Sequence, residues 1–161
     1  MTTLFIDADA CPVTREALAE ARRAGVACVI AGNATQNLSR HLRASDPTTP
    51  RDGFWARTLQ VGIGADSADF AIVEELEPDD VVVTQDIGLT SMVLGRGARA
   101  IGVRGHVYSP LTIDFMMFIR HEEKKVRRAG GRTRGPAAFE DDDRERFSAN
   151  LRRLLAEAKR G

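Results

Sequence analysis

Short apolar runs alternate with stretches of helical character through residues 1–103, and this alternation limits the fold more than any other feature of the chain. Thr3–Ile6, Val26–Ala31, Leu59–Ile63, Val81–Val83 and Ala98–Val103 have the length and apolarity of buried strands. Between them lie three helical stretches. The first starts at Pro12, where a missing N–H costs nothing, and runs to about Ala24 with Gly25 as its stop. The second covers Ala65–Leu76, with Phe70, Ile72 and Val73 in its apolar stripe. The third covers Ile87–Leu94 and ends at Gly95 and Gly97. This alternation of strand and helix predicts an α/β fold with a parallel sheet.

The remainder reads as helical. Ser109 can cap and Pro110 can open a helix reaching about Arg128, with Ile113, Phe115, Met116, Met117 and Phe118 among its apolar residues. A basic, glycine-rich loop follows at Gly130–Pro136. Asp141, Asp142 and Asp143 then precede Phe147, Leu151, Leu154, Leu155 and Ala158, and Lys159-Arg160 close the stretch, so charge at both ends complements a helix dipole. Residues 34–56 are polar, hold Pro47 and Pro50, and read as a surface excursion. At 161 residues the chain predicts one domain, with an α/β core over 1–105 and a helical C-terminal extension over 106–161. No apolar run reaches the length of a membrane span, the first residues lack the pattern of a signal peptide, and Cys11 and Cys28 make no disulfide framework. No membrane association and a cytoplasmic location are the resulting expectations.

Carboxylates stand where such a sheet presents ligands. Asp7 and Asp9 come just past the first strand, at a spacing that points both to one side of an extended chain. Asp86 follows the Val81–Val83 strand, and Asp66 and Asp69 can share one helix face. In a parallel sheet, ligands bind beyond the carboxyl ends of the strands. Grouped carboxylates repel unless protons or a divalent cation offset their charge, and oxygen-only donors suit Mg²⁺ or Mn²⁺. Such a site can activate water for attack on phosphorus. Each acid taken singly also fits a helix cap or a first-turn position favoured by the dipole.

The formal net charge is zero, which as a total speaks against a basic nucleic-acid-binding domain. The distribution is uneven. Residues 1–95 carry 7 basic and 14 acidic side chains, residues 96–134 carry 10 and 3, and residues 135–161 carry 6 of each. The basic run of Lys124, Lys125, Arg127, Arg128, Arg132 and Arg134 can contact phosphates, or can be a solvated helix end. Arg104, at the end of a strand, can clamp a phosphate or lie on the surface. Asn33 can reach the acidic cleft or serve a left-handed turn after Gly32, and Thr84 can bond a carboxylate or a phosphate, or cap a helix. Cys11, with no histidine nearby in sequence, reads as a small half-buried residue.

Several of these segments resemble the YaiI/YqxD family, small bacterial proteins grouped with the PIN-like nucleases. Asp7-Ala-Asp-Ala-Cys-Pro12 is similar to its opening motif, Gly64-Ala-Asp-Ser-Ala-Asp69 with Ile72-Val73 to its second, and Asp80-Val-Val-Val-Thr-Gln-Asp-Ile87 with Leu89 to its third. Arg104-Gly105, Tyr108 and Ile113 resemble the next block, and Thr133, Gly135-Pro136, Asp143-Arg144 and Phe147 resemble the C-terminal part. Gly88, Thr90 and Arg134 depart from the usual residues, and residues 34–56 are longer than the usual connection. The resemblance implies a three-layer α/β/α Rossmann-like sandwich and cleavage of RNA with Mg²⁺ or Mn²⁺. Asp7 then matches the first acid of PIN domains, Asp86 the acid of a Thr-x-Asp motif with Thr84, and Asp66 or Asp69 the acid opening the intervening helix.

The sequence thus predicts a metal-dependent phosphodiesterase acting on RNA, or on DNA, through Asp7, Asp9, Asp66, Asp69 and Asp86. Asn33, Thr84, Arg104, Lys124, Arg128, Arg132 and Arg134 are the candidates to hold the substrate. Two alternatives stand beside it. The strand followed by Asp7-x-Asp9 also resembles haloacid-dehalogenase phosphotransferases, with Asp7 as nucleophile. A non-catalytic RNA-binding module holding one structural ion is the other.

Overall fold

The computed structural model describes the whole chain except residues 63, 65, 66 and 133–136. Five strands, β1 (Thr3–Asp7), β2 (Ala27–Asn33), β3 (Ala56–Val61), β4 (Val81–Val83) and β5 (Arg99–Ile101), form one sheet in the order β3-β2-β1-β4-β5. Every pairing is parallel, with Phe5 of β1 beside Val29 on one side and Val82 on the other. Among the described residues there are five α-helices, α1 (Thr14–Ala24), α2 (Ser67–Glu75), α3 (Ile87–Gly95), α4 (Pro110–Arg128) and α5 (Asp141–Lys159), and a short 3-10 helix at Leu38–His41.

Side chains alternate across the strands, and this splits the core in two. Leu4, Ile6, Cys28, Ile30, Val81, Val83 and Ile101 face α1 and α5. Phe5, Val29, Ala31, Val82 and Ala100 face α2 and α3. The result is a three-layer Rossmann-like sandwich, the expected fold class. Because both sheet faces are covered, the strands carry the near-continuous apolar runs seen in the sequence.

Helix α5 packs into the α/β core. Phe147, Leu151 and Leu155 of α5 are fully buried in the same cluster as Leu4 and Ile6. Polar contacts lock α5 along α1 and the turn before it: Arg144 Nη1 donates to the Pro12 carbonyl (2.7 Å) and pairs with Glu16 (3.3 Å), Arg152 pairs with both oxygens of Glu20 (2.8 and 3.0 Å), and Lys159 Nζ donates to the Ala24 carbonyl (2.6 Å). Residue numbers rise together along both helices, so α5 runs parallel to α1.

Several local expectations shift. Pro12 precedes its helix, which begins at Thr14, because residues 9–13 form turns with Ala10 at φ 50°. Gly25 does end that helix in the left-handed region (φ 68°). The third strand begins at Ala56, earlier than Leu59, since Ala56 pairs with Cys28. Ile63, its expected end, lies outside the described residues. Phe70 is 60% exposed, because it lies two positions from Ile72 and so on the far side of α2 from the Ile72–Leu76 face. Phe115 is 66% exposed and Phe118 is also exposed, because α4 packs on α3 and buries only Ile113. Residues 34–56 are anchored rather than merely superficial. Leu38 is buried in the α1 layer, and Asp46 takes a two-point ion pair from Arg22 (2.7 and 2.8 Å). That guanidinium holds the Asp46 carboxyl below its ordinary range.

Candidate active site

The strand order sets where a site can form. From β1 the chain moves outward to β2 and β3, then returns to β4 and moves the other way to β5. The carboxyl ends of β1 and β4 therefore flank a crevice, the usual ligand position in an open parallel sheet. A cavity of about 480 Å³ occupies it. Asp7 and Asp9 reach it from the end of β1, Asn33 from the end of β2, Asp69 from the first turn of α2, and Asp86 from the turn after β4.

Asp7 is held by two hydrogen bonds. It is buried, and Thr84 Oγ1 donates to its Oδ2 (2.8 Å) while the Asp9 backbone N–H reaches its Oδ1 (3.3 Å). Burial pushes the Asp7 carboxyl above its ordinary value, the two hydrogen bonds oppose that shift, and the charges of Asp9 and Asp86 add to it. The chain does not stay extended past Asp7, as the spacing of Asp7 and Asp9 implied. The Asp9 N–H folds back onto Asp7, and Ala10 adopts a left-handed backbone that a residue with a Cβ rarely takes. Gln85 Nε2 donates to the Ala10 carbonyl (2.6 Å) and so ties this turn to the β4 side. Both carboxylates still line the cavity.

Asp86 does two jobs. Its Oδ1 caps α3 by accepting the N–H groups of Gly88 (2.8 Å) and Leu89 (3.2 Å). It also borders the cavity, with Arg120 Nη1 4.0 Å away. Capping and cavity-lining are therefore not alternatives here. Asp69 is buried and borders the cavity as well. Asp66 lies outside the described residues.

The expected substrate contacts divide. Asn33 lines the cavity, but in place of a left-handed turn it ends β2, and its Oδ1 accepts from the Thr35 N–H (3.0 Å) and hydroxyl (2.5 Å). Thr84 cannot meet a substrate. It is 1% exposed, donates to Asp7 and accepts the Asp86 N–H (3.0 Å). Thr84→Val is expected to leave both partners unsatisfied and to cost about 2–3 kcal/mol in denaturant unfolding, while Thr84→Ser keeps most of that stability. Arg104 is turned away from the cavity and spent on the start of α5. It bonds Asp143 (2.9 Å) and the carbonyls of Ala137 and Ala138, and stacks over Phe139. Lys124, Arg128 and Arg132 are exposed and do not border the cavity. Arg134 lies outside the described residues.

Three contributors were not foreseen. Arg120 of α4 is the cation among the described lining residues. Gln36 bridges the ends of β1 and β2: its Oε1 accepts the Asn33 N–H (3.1 Å) and its Nε2 donates to the Ala8 carbonyl (3.3 Å). Gly32 makes room for that amide, since a Cβ there would fall 2.2 Å from Gln36 Oε1. Gln85 pins Ala10 as described. Only Gln85 had a sequence signal, its place between Thr84 and Asp86. Cys11 lies outside the cavity lining, and burial pushes its thiol up, away from nucleophilic use.

Among the described residues, no three His, Cys, Asp or Glu side chains stand within ligating reach of one point. Mg²⁺ does not require that, since it keeps several waters and takes one or two carboxylates along with substrate phosphates. The lining offers carboxylate and amide oxygens without sulfur or imidazole, the donor chemistry of a hard cation.

A family model described as "Uncharacterized BCR, YaiI/YqxD family" matches residues 5–157. The chain belongs to the YaiI/YqxD family. It is 36% identical to a UPF0178 protein of Exiguobacterium sibiricum, over 96% of both chains. A UPF0178 protein of Bacillus velezensis is also 36% identical, over 96% of this chain and 85% of the relative. One from Bacillus anthracis is 31% identical over 95% of this chain and 98% of its own. No solved structure matches at a significant level. The three motifs of YaiI/YqxD resemblance, beginning at Asp7, Gly64 and Asp80, are the segments that contribute Asp7, Asp9, Asp69 and Asp86 to the cavity. Among the described residues, no helix of this YaiI/YqxD chain is long and apolar enough to cross a membrane.

Proposed function

We propose that the protein is a Mg²⁺- or Mn²⁺-dependent phosphodiesterase of the PIN-like kind, acting on RNA in preference to DNA. One observation carries this reading: four aspartates from three separate segments line a single cavity at the switch point of a parallel sheet. Asp7 and Asp86, from adjacent strand ends, would hold the cation, with Asp9 and Asp69 at its periphery. The bound cation supplies an activated water and charge neutralisation at phosphorus. Thr84 keeps the Asp7 carboxylate oriented, and Arg120 is placed to meet a non-bridging phosphate oxygen. The phosphotransferase alternative lacks support, because the described cation beside the acids is an arginine and no lysine lines the cavity.

The test is Mg²⁺/Mn²⁺-dependent cleavage of single-stranded RNA and DNA by the wild type and by Asp86→Asn. Asparagine is as good an N-cap as aspartate, so α3 keeps its start and the substitution isolates the charge. Turnover is expected to fall by roughly 10–100-fold. Cleavage that survives intact in Asp86→Asn would falsify the assignment. Calorimetric Mn²⁺ binding with no turnover on either polymer points to the non-catalytic module.

A further inference from the structure

We propose that a phosphodiester chain runs from the acidic cavity toward the segment that follows β5, along a cationic trough bordered by Arg40, Arg104, Arg146 and Arg153. This rests on the phosphodiesterase reading of the cavity and specifies its substrate as an extended polymer rather than a mononucleotide.

Three depressions on this side of the molecule share lining residues. The acidic cavity shares Ala10, Gln36 and Gln85 with a neighbour that also holds Arg40 and Arg104. That neighbour shares Arg104 with a third, which holds His106, Arg146 and Arg153. The three are thus contiguous. The charge pattern changes sign along them: the second and third have no Asp or Glu among their described lining residues. Asp143 is held between Arg104 (2.9 Å) and Arg146 (3.1 Å), so one carboxylate partly offsets two guanidinium groups. Arg40 and Arg153 are exposed, and Arg40 bonds only the neighbouring His41 ring among the bonds described.

A polyanion with one phosphate at the aspartates therefore meets arginines in one direction. Arg104 is fixed by Asp143, two carbonyls and Phe139, so it shapes the trough and contributes field, while Arg40, Arg146 and Arg153 have exposed heads that can meet phosphates. Small and amide side chains at Ala10, Gln36 and Gln85 form the passage between the two regions, with no charge to repel a backbone. The basic run on α4, by contrast, partly pairs with itself, Lys125 with Glu122 and Arg127 with Glu123, and Lys124, Arg128 and Arg132 line none of the three depressions.

The experiment is fluorescence anisotropy of a labelled 20-nucleotide RNA with the full chain in EDTA, across a salt series. Wild type is expected to bind, and Arg40→Glu/Arg153→Glu to lose at least tenfold in affinity. The log–log salt slope should fall by about 1.4, two phosphate contacts on a single strand. Arg40→Gln/Arg153→Gln should lose the same slope with a smaller affinity loss, provided its thermal midpoint matches wild type. Lys124→Glu/Arg128→Glu should stay within twofold of wild type. The proposal is overturned if wild type does not bind, if the trough variants bind as wild type, or if the α4 pair loses as much. Because no metal or turnover is involved, the two readings fail separately: normal cleavage by Asp86→Asn sinks the catalytic site and leaves the trough standing.

Discussion

Asparagine at position 7 is expected to reduce metal-dependent turnover by at least ~100-fold and, in the absence of metal, to make the fold more stable. Both effects follow from one placement. Asp7 sits at the end of β1 with its carboxylate buried, and burial is the main cause of its upward pKa shift. The folded state therefore binds the Asp7 proton more tightly than the unfolded chain does. The wild type loses stability as pH rises from the ordinary carboxylate value of about 4 through the raised folded value. Above that range the ionised, buried group is a standing cost. Asparagine carries no charge, and its carbonyl can still accept from Thr84. The gain should grow as pH rises through the raised folded value and vanish below the ordinary carboxylate value of about 4. Urea unfolding of both proteins in EDTA from pH 3.5 to 8 measures it, and equal midpoints at pH 7 would remove the idea that Asp7 is strained by its burial.

Phe147→Ala is expected to cost about 3–5 kcal/mol, a large part of the stability of a domain this size. Phe147 is 0% exposed and is among the largest fully buried side chains. It belongs to the cluster that joins α5 to β1, β2, β4 and α1. A truncation there leaves a void that the locked α1–α5 pair cannot readily close. At roughly 2–4 °C per kcal/mol, the thermal midpoint should fall by about 6–20 °C. A loss below 1 kcal/mol would mean that α5 docks through its polar contacts and not through its apolar face.

The sheet was readable because parallel strands buried on both faces have to be apolar, and Val81–Val83 was placed to the residue. Helix boundaries came out best where capping chemistry marks them: Ser109 and Pro110 open α4, and α5 spans Asp141–Lys159. Position on the sheet was harder to read. Nothing local distinguishes Phe147, which reaches the core, from Phe115, which faces solvent, because the difference lies in what each helix packs on. The acids were found from strand-end spacing and from motif resemblance together. Arg120 was missed because it belongs to a helix 34 residues beyond Asp86, and only the docking of α4 on α3 brings them near each other. Arg104 shows the opposite failure. Its place at a strand end pointed to the cleft, but Asp143, supplied by distant sequence, claims it.

The parallel seating of α5 along α1 also has a consequence for how the protein is made. One face of the sheet, with Leu4, Ile6, Ile30 and Val83, is covered partly by α5 residues between Phe147 and Ala158. Those residues come after every strand of the sheet in the order of synthesis. The first strand is therefore synthesised long before its cover, and that face can close only once α5 has left the ribosome. A chain stalled inside α5 would carry every aspartate of the cavity and still present a greasy, unfinished sheet, the kind of nascent species that chaperones bind and proteases clear.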